Sequence, residues 1–124
     1  VNAIRGQINN DFKVRPMVTE KDKTAQVVDG AWSLPAFHVK YAGYTPRMRA
    51  HLAAGKIYRV TNLPDYSSDK LYVNDLENAM AVYYDEDREP VAVVTPQDAS
   101  ANGLSGMNDM AQLIVVRIRE RAGR

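Results

Sequence analysis

Apolar and polar residues alternate over several short stretches of the chain. From Phe12 to Val18, Phe12, Val14 and Val18 fall on one face and Lys13, Arg15 and Met17 on the other. That is the period of a half-buried strand, and Pro16 assigns it to an edge or a bulge. Thr24–Val28 reads as a second strand, entered through the charged turn Glu20-Lys21-Asp22-Lys23 and left through Asp29-Gly30. Gly at such a turn accepts a positive φ, and Asp can hydrogen-bond its own backbone. Beyond the break at Pro35, Phe37, Val39 and Tyr41 alternate with His38 and Lys40, and Gly43 ends that strand. Lys56–Thr61 is rich in β-formers, Leu71–Val73 is a short strand, and Ala79–Tyr84 with Val91–Val94 form a hairpin. At the C-terminal end Ile114, Val116 and Ile118 alternate with Val115, Arg117 and Arg119, which predicts a closing strand with a basic outer face.

One helix stands out. Thr45 is a suitable N-cap and Pro46 fits the first helical position, where no amide hydrogen is needed. Gly55 suits the left-handed residue beyond a helix end, so the helix is predicted over about Pro46–Ala54, with Met48 and Leu52 turned toward the core. Asn62–Asp69 is a loop by composition. Thr95–Asn108, punctuated by Pro96, Gly103 and Gly106, is an extended excursion with room for one short helical turn. The predicted fold is mainly β: a small antiparallel barrel or sandwich with one short capped helix and extended terminal arms. Residues 1–11 form an N-terminal arm, 12–119 a single β-rich domain and 120–124 a C-terminal tail.

The 124 residues suit one domain, and the absence of cysteine excludes disulfides, thiolate catalysis and cysteine-ligated zinc. No apolar run approaches the roughly 18 residues of a membrane-spanning helix. The first residues, VNAIRGQINNDF, lack the apolar region of a secretory signal, and Val1 fits a chain whose initiator methionine has been removed. The net charge of +1 conceals segregation. Gly30–Pro64 has no acid and five cations, Lys40, Arg47, Arg49, Lys56 and Arg59. Asp65–Asp98 holds nine acids against Lys70 and Arg88, and Leu113–Arg124 carries four arginines against Glu120. Such separation favours oriented docking if each segment forms its own patch.

Catalytic constellations are absent. His38 and His51 lack metal-ligand spacing, no G-x-S-x-G elbow holds a serine, and no glycine-rich loop could cradle a phosphate. Asp85-Glu86-Asp87-Arg88-Glu89 contains an Arg and no Gly, so it reads as a solvated hairpin tip rather than a calcium loop. No metal and no cofactor is implied. The chain is read first as a non-enzymatic assembly protein, most concretely a virion component such as a bacteriophage capsid decoration (cement) or head–tail protein. Its partners would be other protein subunits, with homo-oligomerisation expected. The contacts would come from Val1, Ile4, Arg5 and Ile8 in the N-terminal arm and from Arg117, Arg119, Arg121 and Arg124 at the C-terminal end.

The run Lys40, Tyr41, Tyr44, Arg47, Arg49, Lys56, Tyr58 and Arg59 interleaves cations with aromatic rings, the combination that single-stranded nucleic acid requires. Phe37-His38-Val39 with Tyr41 and Tyr44, then Ala54–Val60, Asn78–Val82 and Pro90–Pro96, resemble successive elements of the HIRAN domain. The sequence departs from that pattern with Lys40 after the opening valine, Asp75-Leu76-Glu77 before Asn78 and Ala92 at a usual glycine position. The resemblance implies a small β-barrel that binds single-stranded DNA ends, here through Tyr41, Tyr44, Arg47, Arg49 and Arg59, in a cytoplasmic rather than virion setting. Val91–Asp98 also resembles a strand of prevent-host-death antitoxins, which would imply a toxin partner.

Overall fold

The computed structural model describes residues 15–122. Strands β1 (Met17–Lys21), β2 (Thr24–Asp29) and β3 (Trp32–Ser33) form one antiparallel meander. Helix α1 (Pro46–Thr61) follows, and then β4 (Leu71–Leu76), β5 (Ala79–Tyr84) and β6 (Ala92–Val94) form a second meander. Helices α2 (Pro96–Ala101) and α3 (Met107–Arg121) complete the chain. α1 packs on β1, β2 and β6, while α3 packs on β3, β4, β5 and β6. One continuous apolar core joins both sheets and all three helices. Among the described residues no helix is long and apolar enough to cross a membrane.

The second hairpin turn lies where Asp29-Gly30 predicts it, whereas the first is narrower than the predicted Glu20–Lys23, since Glu20 and Lys21 belong to β1 and pair with Ala25 and Thr24. Asp22 (φ 52°) and Lys23 (φ 69°) take left-handed conformations between β1 and β2, and Gly30 (φ 62°) opens the two-residue turn that pairs Asp29 with Trp32. β5 and β6 form the predicted hairpin, with Ala81 opposite Val93. Thr45 caps α1 by accepting a hydrogen bond from the Met48 amide at 3.2 Å, with Pro46 next to it.

Several expectations are corrected. The fold is mixed α/β with two three-stranded sheets and no closed barrel, so the mainly β reading is too strong. α1 does not stop at Ala54, and Lys56–Thr61 is its second half rather than a strand. Gly55 serves close approach instead of a cap, because a Cβ there would meet the Arg15 guanidinium at 3.1 Å. The helix buries Ala50, Ala53, Ala54, Ile57 and Val60, so its small residues face inward while Met48 and Leu52 stay 46% and 56% exposed. The closing strand is likewise helix α3. Met110, Ala111, Ile114, Val115 and Ile118 make a helical stripe, and Val116, which alternation places inside with Ile114 and Ile118, is exposed. α3 continues through Arg121, into residues that the sequence reads as a tail.

The predicted strand Phe37–Tyr41 is also replaced. Phe37 makes a single bridge to Ala25, with N–O distances of 2.8 and 3.1 Å. After it the backbone is claimed by side chains. The His38 amide donates to Asp98 Oδ1 at 2.8 Å, and the Val39 carbonyl accepts from Arg49 Nη1 at 2.6 Å. Groups satisfied in this way leave nothing to pair a sheet.

Candidate functional site

A groove of about 530 Å³ opens between α1, the segment around Tyr41–Tyr44 and the connection leading into β6. Its polar wall comes from α1, where Arg49, Lys56 and Arg59 share the lining with His51 and Leu52, and Arg15 adds a further cation. The rest of the lining is mostly apolar, with Phe37, Pro90, Val91 and Ala92, but it includes Glu89. Tyr41 and Tyr44 stand on a two-residue reversal closed by reciprocal backbone hydrogen bonds of 3.0 and 2.9 Å. Ala42 (φ 52°) and Gly43 (φ 85°) take the two left-handed positions of that turn, which brings both tyrosines to the groove. Tyr44 is 44% exposed.

Arg49 braces the site from below. Its side chain is 6% exposed and forms an ion pair with the fully buried Asp98, Nη2 to Oδ2, at 2.6 Å. The same guanidinium donates to the carbonyls of Val39 (2.6 Å) and Val93 (2.7 Å) and lies 4.6 Å from the centroid of the Phe37 ring. Asp98 also accepts from the backbone amides of His38 and Thr95 and from the Thr95 hydroxyl. Burial pushes the Asp98 carboxyl up, but the Arg49 guanidinium and these amides outweigh it and hold it below the usual carboxylate range. One ion pair thereby joins α1, α2, β6 and the segment that leads to the tyrosines.

Nearer the rim, Lys56 Nζ donates to Asp87 Oδ2 at 2.5 Å, and Arg59 Nη2 donates to the same oxygen at 3.1 Å. Asp87 belongs to the acidic connection after β5, so the predicted solvated tip is in fact tied to α1. The Lys56 ammonium, then the Glu89 amide and the Arg59 guanidinium, lower the Asp87 carboxyl to about 2. Arg15 Nη2 donates to the His51 carbonyl at 2.8 Å.

Of the five residues singled out for nucleic acid, Tyr41, Tyr44, Arg49 and Arg59 meet in the groove. Arg47 does not; it pairs with Glu20 at 3.2 Å, with both side chains more than half exposed. Arg49 takes part as a wall, its donors largely spent inside the protein. Arg15, His51 and Leu52 went unselected by sequence reasoning, and Lys56 was visible only as a member of the basic–aromatic run. Arg117 Nη1 donates to the Ser33 carbonyl, Arg119 to the carbonyls of Ser68 and Leu71, and Arg121 pairs with Asp29 at 2.8 Å. These three arginines thus each have a bond within the chain. Val1, Ile4, Arg5, Ile8 and Arg124 lie outside the described residues. Among the described residues no three His, Asp or Glu side chains gather as a metal site would need.

The family model described as a domain of unknown function (DUF8459) matches residues 17–123, so the chain belongs to that family. Comparison with curated proteins and with solved structures gives no match.

Proposed function

We propose that this DUF8459 chain is a binding module whose groove receives the end of a single-stranded nucleic acid. The observation that carries the reading is convergence: Tyr41, Tyr44, Arg59 and Lys56, separated in sequence, share one open groove whose remaining lining is mostly apolar. Cations attract phosphate oxygens without regard to sequence, and an exposed tyrosine face offers stacking to any base. The volume, about 530 Å³, falls in the range of small-ligand sites, which suits a terminal nucleotide or two rather than a duplex. Fluorescence anisotropy with labelled ten-residue oligothymidine tests it. Binding should weaken as salt rises, and Tyr44→Ala should weaken it roughly 5- to 100-fold, the worth of one base stack. Arg47→Ala, outside the groove, should leave affinity unchanged. Undetectable or salt-independent binding overturns the reading.

A second reading, adhesion to neighbouring protein subunits as in a virion, draws on exposed apolar side chains. Met17, Met48 and Leu52 are 70%, 46% and 56% exposed, and such residues can serve as interface anchors. Sedimentation of the purified chain discriminates. Self-association or binding to particles of its source, without oligonucleotide affinity, would favour assembly.

A further inference from the structure

Lys56 presents an unusual demand. Its side chain is only 8% exposed, and a buried ammonium requires an anion close by. Asp87 supplies that anion and shares the same oxygen with Arg59, one helical turn further along α1. The arrangement is a two-cation clamp closed on a single carboxylate oxygen. Phosphate oxygens carry the same charge and accept from the same donors, so the clamp recognises the feature that every nucleotide brings. The groove is lined by Lys56, Arg59 and Glu89; Asp87, two residues before Glu89, lies outside that lining and meets it through the two cations.

Resting on the reading of the groove as a nucleic-acid site, we propose that Lys56 and Arg59 form its phosphate subsite, that Asp87 fills the subsite in the free chain, and that a ligand phosphate displaces the carboxylate. Three observations make Asp87 the mobile partner. It lies in the connection between β5 and β6, outside either strand. Its side chain is 28% exposed, so water can receive the carboxylate as it leaves. Arg59 is 57% exposed and can turn from one acceptor to another, while Lys56 is fixed by its burial in α1. Glu89 Oε1 is a second, looser partner of Lys56 Nζ, at 4.0 Å and on a side chain 86% exposed. The internal carboxylate thus occupies the two cations when the groove is empty and sets a threshold that a weak anion does not cross.

The test compares wild type, Asp87→Asn and Arg59→Ala with oligothymidine of ten residues at several salt concentrations. The oligomers end in hydroxyl groups, in a 5′ phosphate or in a 3′ phosphate. Removing the competing carboxylate should tighten binding about fivefold, the upper range for a partly exposed ion pair. It should also steepen the dependence of log affinity on log salt by about one phosphate equivalent. Arg59→Ala should flatten that dependence by about one equivalent with the fold intact. A gain confined to one phosphorylated end identifies a terminal phosphate in the subsite, and an equal gain for all three oligomers identifies a backbone phosphodiester. A wild-type chain that binds while Asp87→Asn binds equally or more weakly overturns the inference alone. A wild-type chain that binds no oligomer overturns the groove reading as well. Should Asp87→Asn fail to fold, the Arg59→Ala arm decides, and an unchanged salt slope there overturns the subsite.

Discussion

Replacing Asp98 by asparagine keeps the shape of the side chain and removes one charge from a place that water does not reach. The Asp98 side chain is 0% exposed, and its two oxygens accept from Arg49, His38, Thr95 N and Thr95 Oγ1. In Asp98→Asn one oxygen becomes an amide donor facing other donors, and the Arg49 guanidinium loses its counter-charge. Breaking a buried pair by removing one partner typically costs about 3–5 kcal/mol. Against a total of about 5–15 kcal/mol for a domain, that is a large share. At roughly 3–5 °C per kcal/mol for a chain of this size, Tm should fall by about 10–20 °C. Urea denaturation followed by far-UV circular dichroism at pH 7 measures the loss directly.

The pH dependence gives a second reading of the same pair. Because the folded Asp98 carboxyl lies below its ordinary value, its contribution is present above the unfolded value near 3.9 and is lost as pH falls through the folded one. Asp98→Asn should therefore flatten the acid side of the stability profile below about pH 4. Replacing both partners, as Arg49→Met with Asp98→Leu, should cost less than the sum of the single changes, since no charge is left stranded. A loss under about 1 kcal/mol for Asp98→Asn, or strict additivity in the double variant, would refute the reasoning.

Other expectations follow from single features. Phe37→Ala empties a site that is 1% exposed beneath the Arg49 guanidinium and should cost about 3–5 kcal/mol in the same urea experiment. Ala42→Gly relieves a left-handed conformation (φ 52°) that costs an L-residue about 1–2 kcal/mol. After the extra freedom of glycine in the unfolded chain, a net gain of about 0.5 kcal/mol should remain and raise Tm slightly. The Asp87 carboxyl carbon, followed by NMR, should titrate with a midpoint of about 2, so its pairing with Lys56 and Arg59 persists at mildly acidic pH. A midpoint near 4 would show that the pair is open in solution.

The hairpins and the start of α1 were legible because their signals are local: Asp22-Lys23, Asp29-Gly30 and Thr45-Pro46 each act through their own backbone. The second half of α1 and all of α3 were not. Ile57 and Val60, then Ile114, Val115 and Ile118, are β-branched, and their strand preference is overridden once a helical stripe meets the core. Gly55 misled for a related reason, because it lies inside α1 and its near neighbour is the Arg15 guanidinium, 40 positions away and ahead of β1. The groove was half legible. Of the basic–aromatic run, Tyr41, Tyr44, Arg49, Lys56 and Arg59 line it, while Lys40, Arg47 and Tyr58 do not. What pairs with them was hidden, since Asp98 lies 49 residues from Arg49 and Asp87 lies 31 from Lys56.

The chain's lone tryptophan lies where the first meander meets the last helix. Trp32 Nε1 donates to the Arg117 carbonyl at 2.7 Å, across 85 residues of sequence, and Arg117 returns a bond to the Ser33 carbonyl. β3, only two residues long, thus depends on a helix that leaves the ribosome long after it. α1 can cover β1 and β2 soon after they emerge, but β3 has to wait until residues 107–121 emerge and dock. Completion of the fold is therefore a late, non-local event, and indole emission would time that docking in a refolding experiment.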